Sequence, residues 1–175
     1  ASDVFAMYQS LVNNVIIPEE LLWKNTPKEK IGNYEHLLEV IDWEPNVDTH
    51  FAQNDFMRPK PVKQVDEMKQ DGYSDKWICY KNEAYSAKEL TVFPGATVTI
   101  RDAAAYGMIM MQGHCKMGVW DIETPSSIHF GQLTHDEYFV SEQAAVDGVK
   151  IQNFSKTDPI VMLKHFAPGN PDLKL

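Results

Sequence analysis

Residues 90–165 read as a run of short strands punctuated by turn residues, and that pattern leaves few folds open to the chain. Leu90, Val92, Ala96, Val98 and Ile100 alternate with Thr91, Thr97, Thr99 and Arg101, broken once by Pro94-Gly95. A period of two puts the first set on one face of a sheet and the second on the other. The apolar run Tyr106-Gly107-Met108-Ile109-Met110-Met111 is too short for a globular helix and is closed by Gly113. Strands are predicted again at 117–122, 128–133, 138–140, 149–151 and 160–163. Gly118, Pro125-Ser126-Ser127, Asp136, Asp147-Gly148 and Asp158-Pro159 mark the turns between them. Many short strands at close spacing predict a sandwich or a barrel.

The chain before this stretch has a different period. Val4, Phe5, Tyr8, Leu11, Val12 and Val15 fall on one face of a helix over 3–15, with Ser2 or Asp3 as its N-cap. Pro18 opens a short helix through Trp23, with Glu19 and Glu20 in its first turn. A third helix starts at Asn33 and carries Leu37, Leu38 and Ile41. Residues 42–54 hold Pro45, Asn46 and Asp48 and read as a loop, whereas 56–65 is extended, with Pro59 and Pro61 suited to a sheet edge. Residues 65–72 read as a polar turn, and Trp77-Ile78-Cys79-Tyr80 is the first clear strand. No repeat, low-complexity tract or Gly/Ser-rich linker interrupts the chain. Residues 1–55 therefore form an N-terminal helical arm that packs on the barrel or on a partner subunit, and 56–175 form the barrel.

With 175 residues, one core burying roughly 70% of the unfolded surface is within reach. A formal charge of -9 repels phosphate backbones and anionic lipid, so nucleic-acid and membrane partners are not expected. No run of about 18 apolar residues exists to span a bilayer. The first residues carry Asp3 and Asn13-Asn14 but no basic region ahead of an apolar one, so no signal peptide is visible. The sequence opens on Ala1, which is compatible with a longer parent polypeptide. Cys79 and Cys115 read as reduced thiols of a cytoplasmic protein, with a disulfide between neighbouring strands as the alternative.

Five segments sharpen the fold expectation. Leu90-Thr91-Val92-Phe93-Pro94-Gly95, Gly113-His114-Cys115-Lys116-Met117-Gly118, Ile122-Glu123-Thr124-Pro125, Phe130-Gly131-Gln132-Leu133-Thr134 and Val161-Met162-Leu163-Lys164-His165-Phe166 resemble the C-terminal cupin of long bacterial class I mannose-6-phosphate isomerase-like proteins. Residues 41–48 resemble the segment that precedes that cupin. The resemblance implies a mainly β, cupin-type jelly-roll barrel with an N-terminal helical arm. It implies aldose–ketose interconversion or sugar binding, a sugar or sugar-phosphate ligand, and a homodimer.

A metal-binding cupin carries a His-x-His pair, a Glu and a later His, which converge inside the barrel. Aligned from Gly113, those positions fall near Arg101, Ala103, Gly107 and Val149 or Lys150, none of which can do that work. The usual metal site is thus expected to be absent, leaving a metal-free carbohydrate-binding or oligomerisation module as the alternative. A second match implies zinc or another divalent ion, because mannose-6-phosphate isomerases use a Gln-x-His pair, a Glu and a distant His. Gln112, His114, Glu137 and His165 supply those types in that order, with Gln112 and His114 placed at a turn. Isomerisation needs a base beside the carbonyl and a group that polarises its oxygen. Glu137 and Glu123 are the candidate bases, and Lys116, His114 and Arg101 the polarisers. Arg101, Trp120 and Tyr106 are the candidate sugar contacts; Arg101 projects into the barrel, where it pairs with Asp102, Glu123 or Glu137 or meets an anion. His129 and His135 have ligand chemistry but equally suit an acidic turn. Met108, Met110 and Met111 read as core filler.

Overall fold

A computed structural model of the chain describes residues 18–126 and 129–173. The helix expected over 3–15 lies outside them. The chain divides into two compact units, Ala1–Asp55 and Phe56–Leu175.

The first unit is built of short helical pieces. A 3-10 turn spans Glu19–Leu21 behind Pro18, and Trp23 is buried with its ring 5.1 Å from that of Tyr34. The helix Tyr34–Glu39 starts where the sequence places its cap, with the Asn33 side chain accepting from the His36 N–H at 3.1 Å. The loop expected over 42–54 instead holds two single-turn helices, Trp43–Val47 and Phe51–Asp55. Pro45 is tolerated because it sits in the first turn, where N–H groups have no intrahelical partner anyway.

The second unit is mainly β. Its strands are β1 (Lys60–Pro61), β2 (Tyr73–Cys79), β3 (Ser86–Val92), β4 (Thr97–Ile100), β5 (Tyr106–Met117), β6 (Trp120–Thr124), β7 (Glu137–Val140), β8 (Val149–Asn153) and β9 (Ile160–Phe166). All pair antiparallel. One sheet runs β1-β2-β3-β9-β5, with β7 on the far side of the first half of β5. The other is formed by β4, β8, the second half of β5, and β6. The long β5 belongs to both, so the sheets curl around one core. Pro61 sits on the short edge strand, as its missing donor requires.

Alternation fills that core. Tyr73 and Trp77 from β2, Leu90 and Val92 from β3, Val98 and Ile100 from β4, Met108 and Met110 from β5, and Ile160 and Met162 from β9 are all buried. Asn153 fastens the sheets together at one end. Its amide donates to the Val92, Phe93 and Asp158 carbonyls at 2.9–3.1 Å, while its Oδ1 accepts from Ser155 N–H.

Several boundaries differ from the sequence reading. Residues 65–72 contain a helix, Val65–Gln70, because Met68 anchors that turn in the core at 1% exposure. Gln112 and His114 lie mid-strand, not at a turn: the register shifts between Met110 and Gln112, so a bulge lets β5 pass from one sheet to the other. Met111, at the bulge, is exposed while Met108 and Met110 are core. The 117–122 strand is divided by a turn at Gly118. No strand covers 129–133 among the described residues; Phe130 and Leu133 stand in solvent, so their apolar character reflects no burial there. A helix, Glu142–Asp147, intervenes before β8, capped by Ser141.

Candidate functional site

The barrel interior contains a set of charges that no sequence reading placed there. Lys88, Lys164, Asp75 and Asp102 are buried, with Lys164 at 0% and Asp75 at 2% exposure. They arrive by strand phase. Lys88 is two residues before inward Leu90, Lys164 two after inward Met162, and Asp75 two before inward Trp77. Lys88 and Lys164 face each other directly across the β3–β9 pair. Like charges in that position repel, so the carboxylates between them are what make the arrangement stable. Asp102 bridges both ammonium groups, at 2.6 Å to Lys88 Nζ and 2.9 Å to Lys164 Nζ. Its own N–H donates to the Ala145 carbonyl at 3.0 Å, which fixes it against the helix before β8. Asp75 takes Lys164 Nζ at 2.9 Å through Oδ2.

The second oxygen of Asp75 differs: Oδ1 is buried and accepts no hydrogen bond among the described residues. Burial pushes the Asp75 carboxyl above its ordinary range, against the pull of Lys164 and Lys88. Asp102 goes the other way. Burial opposes its charge, but Lys164, Lys88 and its bonds to both together hold it below the usual carboxylate range.

Asp75 and Lys88 line a cavity of about 330 Å³ at the barrel mouth, with Tyr73, Trp77, Thr99, Arg101, Lys63 and Asp172 around it. The size falls within the roughly 300–1,000 Å³ of small-ligand sites. Lys88 Nζ sits 4.3 Å over the Trp77 ring and 3.6 Å from the half-exposed Asp172. The walls therefore offer aromatic faces, three cations and two carboxylates.

The residues expected from the sequence are distributed differently. Arg101 does not project into the core. It is exposed and lies at the rim of this cavity, and the inward position belongs to Asp102 one residue later. None of the expected Arg101 partners pairs with it among the described residues; Asp102 is taken by the lysines. Tyr106 is core, tilted at 5.4 Å against Phe166, and burial pushes its hydroxyl well above the ordinary tyrosine range. Trp120 is 62% exposed near Tyr138, away from the cavity. Lys116 stands opposite Asp121, half-buried outside the core.

Gln112, His114 and Glu123 do come together. They line an open surface groove of about 620 Å³ with Asp158 and Phe154, with His114 directly across from Glu123. The Gln112 amide is taken by the Pro159 carbonyl at 3.1 Å. Glu137 and His165 are exposed on the sheet shared by β5, β7 and β9, where Glu137 faces Ile109 and the His165 ring lies over Gly107. Among the described residues, no three His, Cys, Asp or Glu side chains are placed to hold a metal ion. In the interior, ammonium groups bond both oxygens of Asp102 and one oxygen of Asp75. Cys79 and Cys115 are free thiols, and burial pushes Cys115 up to about 12. No helix among the described residues is long and apolar enough to cross a membrane.

No protein-family model and no curated protein matches the chain. Among solved structures, it is similar to an RmlC-like cupin protein of Ralstonia eutropha at 9% identity and a TM-score of 0.42, with 63% of each chain covered. The chain thus spans under two thirds of that protein. A cupin 2 domain-containing protein of Halorhodospira halophila is 14% identical, with a TM-score of 0.44, 58% of this chain and 68% of that one covered. A cupin 2 conserved barrel domain protein of Rhodopseudomonas palustris is 16% identical, with a TM-score of 0.40 and coverage of 65% and 72%. The strand order and pairing define the second unit as mainly β, an antiparallel sheet curled around one core, with short helices earlier in the chain.

Proposed function

We propose that the barrel binds a small polyhydroxylated molecule, a sugar or sugar phosphate, in the cavity beside Asp75 and Lys88, as a carbohydrate-binding module that works without a metal. One observation carries the reading. A buried carboxylate oxygen without a partner costs about 1–3 kcal/mol, and Asp75 Oδ1 is held in that state beside an ammonium group in an aromatic-walled cavity. A ligand hydroxyl that reaches it satisfies it, and Trp77 and Tyr73 in the lining add apolar surface beside a sugar ring. The likeness of the sequence to isomerase cupins points to the same ligand class. Thermal unfolding monitored with mannose and with mannose 6-phosphate tests it. A rise in melting temperature with at least one supports the reading, and none with either refutes it.

A second reading, aldose–ketose isomerisation, is favoured by the same pair in another capacity. Burial raises the Asp75 pKa and so strengthens its carboxylate as a base, and the Lys88 ammonium is a polariser for the adjoining oxygen. In this reading they replace Glu137, Glu123 and Lys116. Incubation with mannose 6-phosphate in deuterated water distinguishes the two: loss of the C2 proton signal supports catalysis, and its retention leaves binding alone.

A further inference from the structure

The charges around the cavity have a polarity that a neutral sugar does not use. Asp75 lines the cavity at 2% exposure, and its buried Oδ1 has no partner among the described residues, so a ligand that reaches this oxygen brings a hydrogen-bond donor. At the rim, Lys63 and Arg101 are exposed cations, and neither has an ion pair among the described residues. With Lys88 they make three cations against the two carboxylates of Asp75 and Asp172 in the lining. This is a local positive excess on a chain whose formal charge is -9. In an otherwise acidic protein, a cationic mouth concentrates anions against the overall field. An arginine fork is well matched to phosphate or carboxylate.

Resting on the proposed sugar-type ligand, we infer that the cavity selects a hydroxylated anion, oriented with a hydroxyl inward on Asp75 Oδ1 and its phosphate or carboxylate outward on Arg101 and Lys63. Lys88 lines the same cavity over the Trp77 ring and is held by Asp102, so Asp75 on β2 and Lys88 on β3, and not one mobile side chain, fix this wall. Thr99 adds a hydroxyl on the wall.

Isothermal titration calorimetry of the full chain with mannose 6-phosphate, gluconate, mannose and inorganic phosphate tests this. The expected result is at least tenfold tighter binding of mannose 6-phosphate or gluconate than of mannose, and the phosphate and carboxylate arms show which anion is preferred. The double variant Lys63→Gln with Arg101→Gln, at exposed positions that leave the core untouched, should abolish that preference. Asp75→Asn should weaken the preferred anion at least tenfold while leaving inorganic phosphate as in the unsubstituted protein. Should Asp75→Asn fail to unfold cooperatively, the rim variant alone decides. Equal binding of mannose and the anions, or a preference that survives the rim variant, overturns the inference while the sugar-binding reading stands. Binding of none of the four overturns both.

Discussion

Replacing Asp102 by alanine probes the interior charge set at its weakest joint. Asp102 accepts from Lys88 at 2.6 Å and from Lys164 at 2.9 Å, two charge-assisted bonds of about 1.5–3 kcal/mol each. Without it, Lys88 keeps only the half-exposed Asp172 at 3.6 Å, and Lys164 keeps Asp75. Two ammonium groups then face each other across paired strands with one buried carboxylate between them. Removing one partner of a buried ion pair costs about 3–5 kcal/mol, a large share of the roughly 5–15 kcal/mol that holds a domain. With a urea slope of about 2 kcal/mol per M, the unfolding midpoint of Asp102→Ala should fall by about 2 M. Glu89→Ala is the control. It breaks the Lys76–Glu89 pair at 2.8 Å, whose side chains are about a third exposed, and such pairs are worth about 0–1 kcal/mol. A midpoint for Asp102→Ala within about 0.5 M of that control would refute the reasoning. The set need not stabilise the fold as such: exchanging all four residues for Met and Leu should recover most of the loss, because no buried charge is left unpaired.

Two further outcomes follow. Gly113→Ala should cost about 2–4 kcal/mol by thermal unfolding, since φ is +97° and the new Cβ would stand 2.7 Å from Ile160 Cγ2; Gly95→Ala, at φ +70° in open space, should cost about 1 kcal/mol, and equal losses would mean that the bulge is not tightly packed. Because the native Asp75 carboxyl holds its proton to higher pH than the unfolded one, at about 3.9, the folded state binds more protons in that window and stability falls as pH rises through it; Asp75→Asn should lose this fall, and a wild-type curve that instead gains on Asp75→Asn above pH 4 would show that the carboxyl is depressed.

The β architecture was legible because a half-buried strand writes its burial as alternation, and 90–100 and 160–166 do so plainly. Other features were not. The bulge at Met110–Gln112 has no composition of its own, so Gln112 and His114 read as a turn. The apolar letters at Phe130 and Leu133 suggested a strand where none forms, because periodicity cannot distinguish a buried run from an exposed one. The interior charges had a usable signal: Lys88, Asp75 and Lys164 are in phase with their buried neighbours. The same phase carries Asp102 inward after Val98 and Ile100 and leaves Arg101 outward with Thr97 and Thr99, so the inward placement of Arg101 ran against the alternation of its own strand. Paired lysines and aspartates are also far apart in sequence, so their mutual neutralisation appears only when β2, β3 and β9 are set side by side.

The proposed ligand site is the cavity beside Asp75, and the indole N–H signals of the four tryptophans report on it directly. Trp77 lines that cavity, whereas Trp120 is exposed elsewhere on the barrel. In a titration with mannose 6-phosphate followed by 1H–15N spectra, the Trp77 indole should shift saturably while Trp120 stays fixed. A saturable shift at Trp120 with Trp77 unmoved would contradict the account.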